Sequence, residues 1–339
     1  FFVLSGFVLT YRFFNCGNTK GVVDSIIRRW PRLAGPVIIV SLISGLLMGG
    51  GFYHNLELAS VNDSSWLKAF FTWTPKGVVD VIDAVRGGIW NVFFTKDCPY
   101  NMSFWTMHYE LIGSIAAYLV AFFMILASRK LDWRIVVLGV MLLWLREVLR
   151  FPYVSGFLLG TLLARIYHEF RTFVWKEPFS LILTAIFCVL AGGYTVPEND
   201  FPSWVYDALD ANSKGGRLSI TYGLHSLLAV ILLSYALWVP SIRDFLSRPL
   251  MRKLGHLSFP IYLIHLPLIC SLGASACLLL RPHGNLMAAI MAASLTVLVT
   301  ILCSVPLAWF DDYWLVACRR ISPCRSIAEI YRSRNRPSS

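Results

Sequence analysis

Apolar runs about twenty residues long, nearly free of charge, recur along the whole chain, and no other feature limits its fold as tightly. Hydrocarbon offers no water to backbone N–H and C=O groups, so a segment that crosses it is a helix or a strand of a closed barrel. Barrel strands alternate apolar and polar residues over about ten positions. Here the runs are continuous, as in Leu33–Tyr53 and Leu286–Val316. The chain therefore reads as all-α, a polytopic transmembrane helical bundle, and its expected setting is an integral, multi-pass membrane protein. Composition agrees: 57% of the 339 residues are apolar and 14% charged, where a soluble domain carries about a quarter charged residues.

Nine hydrophobic segments follow from this pattern: Phe1–Phe14, Leu33–Tyr53, Ser103–Ala127, Ile135–Leu149, Pro152–His168, Phe179–Val196, Leu218–Pro240, His256–Leu280 and Leu286–Val316. Residues 1–316 form one transmembrane domain. Asn15–Arg32 is a polar connection ending in RRWPR, and 54–102 is a mixed-charge, aromatic-rich insertion too polar to cross, expected at the membrane surface with amphipathic pieces such as Trp66–Trp73. Residues 317–339 are basic and lack apolar periodicity, the pattern of a disordered tail. Lys and Arg accumulate in cytoplasmic loops. Of the 30 Lys and Arg residues, 21 fall on one side of an alternating topology, the side that holds RRWPR and the tail. The net charge of +11 is thus mostly a cytoplasmic face beside membrane lipids and calls for no nucleic acid. The chain opens on Phe1 in mid-run, so a preceding span is expected. Its eight cysteines show no metal-ligand spacing, and no metal site is expected.

Within Ser103–Ser114, SFWTMHYELIGS, an acid sits inside an apolar run, where an ionisable group marks function. Residues three and four apart share a helix face, so Ser103, Thr106, Glu110 and Ser114 form one polar stripe with Gly113 beside it. His108 projects to nearly the opposite side with Trp105 and Ile112, and reads as structural. Arg29 and Arg32, three apart, can converge on one anion, and guanidinium forks suit phosphate; the plainer reading is a basic anchor with Trp30 at the interface. In GHLSFPIYLIHLP, Ser258, Tyr262 and His265 fall on one face of a Leu/Ile helix, with His256 at its interfacial start. His225 on another span, three residues after Tyr222, reads as structural. Ser5-Gly6 has no strand–turn–helix context for a nucleophile, so close helix packing is the preferred reading.

Three stretches in order, FFVLSGFVLT, SFWTMHYELIGS and LGHLSFPIYLIHLPL, together with the R-x-x-R of Arg29 and Arg32, resemble the acyltransferase 3 family of multi-pass membrane acyltransferases, in a form similar to its fungal branch. The resemblance spans essentially the whole chain. It implies ten transmembrane helices, nine of them here. It also implies transfer of an acyl group, commonly acetyl, from acyl-CoA as cosubstrate, with no bound cofactor, to a hydroxyl-bearing glycan, lipid or small metabolite. Carried over residue by residue, it makes Glu110 a polar active-site group and His265 a cavity-lining residue, and these two are the candidate catalytic groups. Arg29 and Arg32 become CoA-phosphate contacts, and Ser258, Tyr262, Trp105 and Ser114 substrate-contacting positions. The family's R-x(10)-H histidine, the expected base of the intact protein, would lie on the helix before Phe1. Two rival readings stand beside the enzyme. One is a proton-coupled transporter using Glu110, His225 and His265, which would show broken helices repeated in two halves. The other is a non-catalytic scaffold.

Overall fold

The computed structural model describes residues 1–17, 19–62, 64, 67–68, 81–147, 151–175, 182 and 217–320, and among them there is no strand. The helices are α1 (Phe2–Cys16), α2 (Lys20–Gly49), α3 (Asn55–Asn62), α4 (Val81–Arg86), α5 (Trp105–Ala127), α6 (Trp133–Glu147) and α7 (Pro152–Glu169). They are followed by α8 (Arg217–Trp238), α9 (Pro240–Leu246), α10 (Pro249–Leu268), α11 (Ala274–Leu280) and α12 (Asn285–Arg320). π-helical turns extend α4 over Gly87–Thr95 and join α10 to α11 over Ile269–Gly273. Apart from Ile182, the expected segment Phe179–Val196 lies outside the described residues, as do most of Trp66–Trp73 and the tail beyond Arg320.

Among the described residues four helical stretches are long and apolar enough to cross a membrane: Gly21–Gly49, Met102–Ala127, Pro249–Leu280 and Asn285–Arg320. A fifth arises if α8 and α9, bent by 89° at Val239-Pro240, count as one broken span. Proline disfavours the helical region for the residue before it, and Val239 is extended, at φ −96° and ψ 114°, which breaks the helix there.

Two boundaries differ from the sequence expectation. The connection Asn15–Arg32 is mostly helix, because α2 starts at Lys20 and carries Pro31 and Pro36 in its interior. Likewise α10 begins at Pro249, so His256 sits about two turns inside it and pairs with Asp312 at 3.0 Å. Tertiary contacts sustain α2 past its prolines: the Trp314 indole N–H donates to the Pro31 carbonyl at 2.7 Å. Gly35 leaves room for that ring, since a Cβ there would lie 2.3 Å from Trp314 Nε1.

The chain divides into two compact units, Phe1–Ile27 with Tyr109–Met251 and Arg28–His108 with Arg252–Ser339. In the first, α1 packs along α7. Gly6 and Gly160 allow this: a Cβ on Gly6 would lie 2.3 Å from the Phe157 carbonyl oxygen, and one on Gly160 2.0 Å from that of Val3. The Ser5-Gly6 expectation of close packing is met at Gly6. An aromatic ladder, Phe7–Tyr11–Tyr167–Trp238, extends the contact with centroid separations of 5.4–5.5 Å. In the second unit, Gly88 of the π turn lies against α2, 2.8 Å from Ile38 Cα for an added Cβ, and Trp30 Nε1 donates to the Ile89 carbonyl at 3.0 Å.

Candidate functional site

The polar stripe of α5 is buried throughout: Ser103, Thr106, Glu110 and Ser114 are each 8% exposed or less. Asn101 caps the 3-10 turn Met102–Phe104, which carries Ser103 and leads into α5. Its side-chain oxygen accepts from the Ser103 N–H at 3.0 Å and the Ser103 hydroxyl at 2.7 Å, while its amide donates to the Leu263 carbonyl at 2.8 Å. An asparagine immediately before a helical run is the usual N-terminal cap, a signal legible in the sequence.

In the first unit Glu110 is 4% exposed and accepts a hydrogen bond from the Ser5 hydroxyl at 3.3 Å. Ser5, assigned only a packing role from sequence, is thus a neighbour of the one acid in this stripe. Phe157 closes the same region. Its ring is fully buried and lies over Gly113, where a Cβ would come within 2.2 Å of it. Ser114, at 0% exposure, donates to the Leu111 carbonyl of its own helix at 2.9 Å.

In the second unit Tyr262 is held by the start of α5. Its hydroxyl donates to the Ser103 carbonyl, which can only accept, so the Thr106 hydroxyl 2.7 Å away donates to the phenol oxygen. Tyr262 is therefore a clamp between α10 and α5 with its single proton committed. Ser258, on the same face by spacing, is exposed and donates to the Gly255 carbonyl at 2.7 Å. His265 Nδ1 lies 2.6 Å from the Tyr262 carbonyl oxygen. A carbonyl accepts only, so Nδ1 carries the proton, and Nε2 of the neutral ring keeps its lone pair. The ring lines a cavity of about 600 Å³ bounded by α10, α11 and α12; Tyr262 and Ser258 are not part of its wall.

Arg32 forks onto Asp311, Nη1 to Oδ1 and Nη2 to Oδ2, the second contact at 2.7 Å. The convergent anion expected for this arginine is thus, in part, an internal carboxylate, and Arg29 is half-buried three residues away on the same helix. Trp105 is 40% exposed on α5. His108 Nδ1 contacts the Phe93 carbonyl of the π turn at 2.6 Å, which bears out its structural reading. Among the described residues no group of three or more His, Cys, Asp or Glu side chains is placed to hold a metal.

Of the predicted set, then, Glu110 and Ser114 fall in the first unit. His265, Tyr262, Ser258, Arg29, Arg32 and Trp105 belong to the second. The chemistry available is a buried carboxylate with a hydroxyl on it, an imidazole with a fixed tautomer on a cavity wall, and a guanidinium oriented by an aspartate.

No curated protein and no solved structure is similar enough to the chain to count as a match. A family model described as an acyltransferase domain, that of the acyltransferase 3 family, matches residues 1–309. Since that match takes in all twelve helices except the end of the last, the chain belongs to the acyltransferase 3 family and is a membrane acyltransferase.

Proposed function

We propose that the protein moves an acyl group, acetyl in the simplest case, from acyl-CoA to a hydroxyl of a glycan, lipid or small metabolite. The observation that carries this reading is the buried Glu110 carboxylate with the Ser5 hydroxyl on it, set inside helices that belong to an acyltransferase family. A carboxylate kept from bulk water survives in such a place when polar partners satisfy it, and it is then poised to orient a hydroxyl.

In the proposed reaction the acceptor oxygen attacks the thioester carbonyl. The new C–O bond forms, the C–S bond breaks, and the hydroxyl proton passes through a base to the departing CoA thiolate. Imidazole has the unperturbed pKa suited to that task. His265, with its Nε2 lone pair left available by the Nδ1–H bond to Tyr262, is the candidate base among the described residues. Glu110 is a hydroxyl-orienting group within the first unit, as its bond from Ser5 illustrates. Arg29 and Arg32 meet the CoA phosphates, with Arg32 steered by Asp311.

The test is transfer of labelled acetyl from acetyl-CoA to endogenous acceptors by membranes carrying the full-length protein. Glu110→Gln removes the charge at nearly constant volume and is expected to lower turnover about tenfold or more, in keeping with lost hydroxyl positioning. Wild-type turnover in that variant would remove Glu110 from the mechanism.

A further inference from the structure

The cavity beside His265 is far larger and more apolar than an acetyl group requires. At about 600 Å³ it falls within the 300–1,000 Å³ typical of sites for whole small-molecule ligands. Its walls are chiefly hydrocarbon, with Ile261, Ile269, Ala274, Ala292, Val297 and Ile301 among them. The hydroxyls on the α12 wall are turned inward to their own helix. Thr296 donates to the Ala292 carbonyl and Thr300 to the Thr296 carbonyl, both at 2.7 Å, so neither has a proton to offer a ligand. Ser64 accepts from the Leu67 N–H at 3.3 Å and is the one serine on the wall. Among the lining residues His265 carries the one side-chain nitrogen base.

Small residues shape this space. A Cβ on Gly273 would lie 2.8 Å from Thr296 Oγ1, so glycine there lets the π turn and α12 approach, while alanines at 274, 289, 292 and 293 leave the volume between them open. Ala289, Ala293 and Val297 are exposed on α12, the helix whose outer face also presents Leu286, Ile290 and Leu298. The mouth of the cavity therefore opens on an apolar face of a membrane-spanning helix, the side from which a hydrocarbon chain arrives. A polar or charged ligand would lose its hydration here against walls that return almost no hydrogen bonds.

We propose that this cavity is a hydrocarbon-chain site: it holds the aliphatic tail of one of the two substrates, with the polar, reacting end toward His265. The inference rests on the acyltransferase reading and deepens it, because a site of this kind means that a chain much longer than acetyl enters the reaction. The chain comes either from the acyl donor or from a lipid alcohol acceptor.

Two series run on the full-length protein in detergent separate those sources. In one, acetyl-, octanoyl- and palmitoyl-CoA are offered with a fixed short alcohol. In the other, acetyl-CoA is fixed and the acceptor alcohol is short- or long-tailed. Ala293→Phe and Ala289→Trp, both at the exposed mouth, narrow the cavity without touching its buried floor. Each methylene kept out of an apolar site weakens binding about fourfold, so the long-to-short ratio of kcat/KM is expected to fall at least tenfold in one series, and that series names the source. Leu298→Phe, on the same helix outside the cavity, leaves the ratio unchanged. A ratio unmoved by both narrowing variants, in protein that still elutes as a monodisperse species, overturns the site.

Should the wild type form no ester in either series, the transferase reading fails, and the cavity is judged by binding alone with a long-chain alcohol bearing a diazirine. Labelling of the peptides around Cys277 and Ala293 that unlabelled long-chain alcohol displaces and Ala293→Phe diminishes upholds it. Labelling that is absent, or that neither treatment changes, marks a groove filled by bulk lipid and overturns the proposal.

Discussion

The Arg32 side chain is 23% exposed and its Asp311 partner 13%, a pair sheltered enough for its loss to be felt in stability. Two of five guanidinium N–H groups are spent on the carboxylate, and three remain for a phosphate. The latch role and the phosphate role separate in two variants. Asp311→Asn keeps the arginine charge and is expected to leave the KM for acyl-CoA unchanged or lower, whereas Arg32→Ala raises it. Both lose stability, and the double variant loses less than the sum, with a coupling of about 0.5–3 kcal/mol. Equal KM values in all three proteins would leave Arg32 a latch only. None of this was legible in the RRWPR motif, because Asp311 is 279 residues away. Ser5 and Glu110, 105 residues apart, were hidden for the same reason. The burial of the whole Ser103–Ser114 stripe was legible, since helical spacing alone puts four polar residues on one face and an apolar solvent drives that face inward.

Among the elements, α1 and α7 show how much a contact between helices depends on glycine. In Gly6→Ala the new methyl meets backbone, which cannot rotate away, so a cost of about 1–3 kcal/mol is expected. Gly139 in α6 has open space around it, and Gly139→Ala is expected to stabilise by about 0.5–1 kcal/mol through helix propensity alone. Thermal unfolding of the two variants in detergent checks both signs; a neutral Gly6→Ala would mean the helices can part without loss. Periodicity located α5, α7, α8 and α12 to within a few residues, because a membrane-spanning helix announces itself by length and hydropathy. It misjudged the starts of α2 and α10. There, polar residues continue a helix that tertiary partners hold, through Trp314 on Pro31 and Asp312 on His256. Spacing also placed Ser258 with Tyr262 and His265 on one face, yet only His265 reaches the cavity, since a face is set by the helix and its covering by other elements.

At the scale of the molecule, the arginine distribution orients the chain, and two cysteines report on it. Cys16 is exposed beside the basic stretch from Arg12 to Lys20, whereas Cys98 is buried in the loop before α5. Burial, with Asp97 alongside, pushes the Cys98 thiol up to about 12, so at pH 8 it remains protonated and unreactive. A membrane-impermeant maleimide is expected to label Cys16 from the cytosolic side only and Cys98 from neither. Labelling of Cys16 from the opposite side would invert the orientation. A membrane-spanning helical chain, a buried polar face on α5 and membership of the family can all be read along the residues in order. These are local or summed properties, set by hydropathy, period and motif. The pairing of Arg32 with Asp311, the Ser5 hydroxyl on Glu110 and the apolar cavity beside His265 emerge with folding alone. Each of those needs groups far apart in the chain to meet, and the packing that brings them together leaves no periodic trace in either partner.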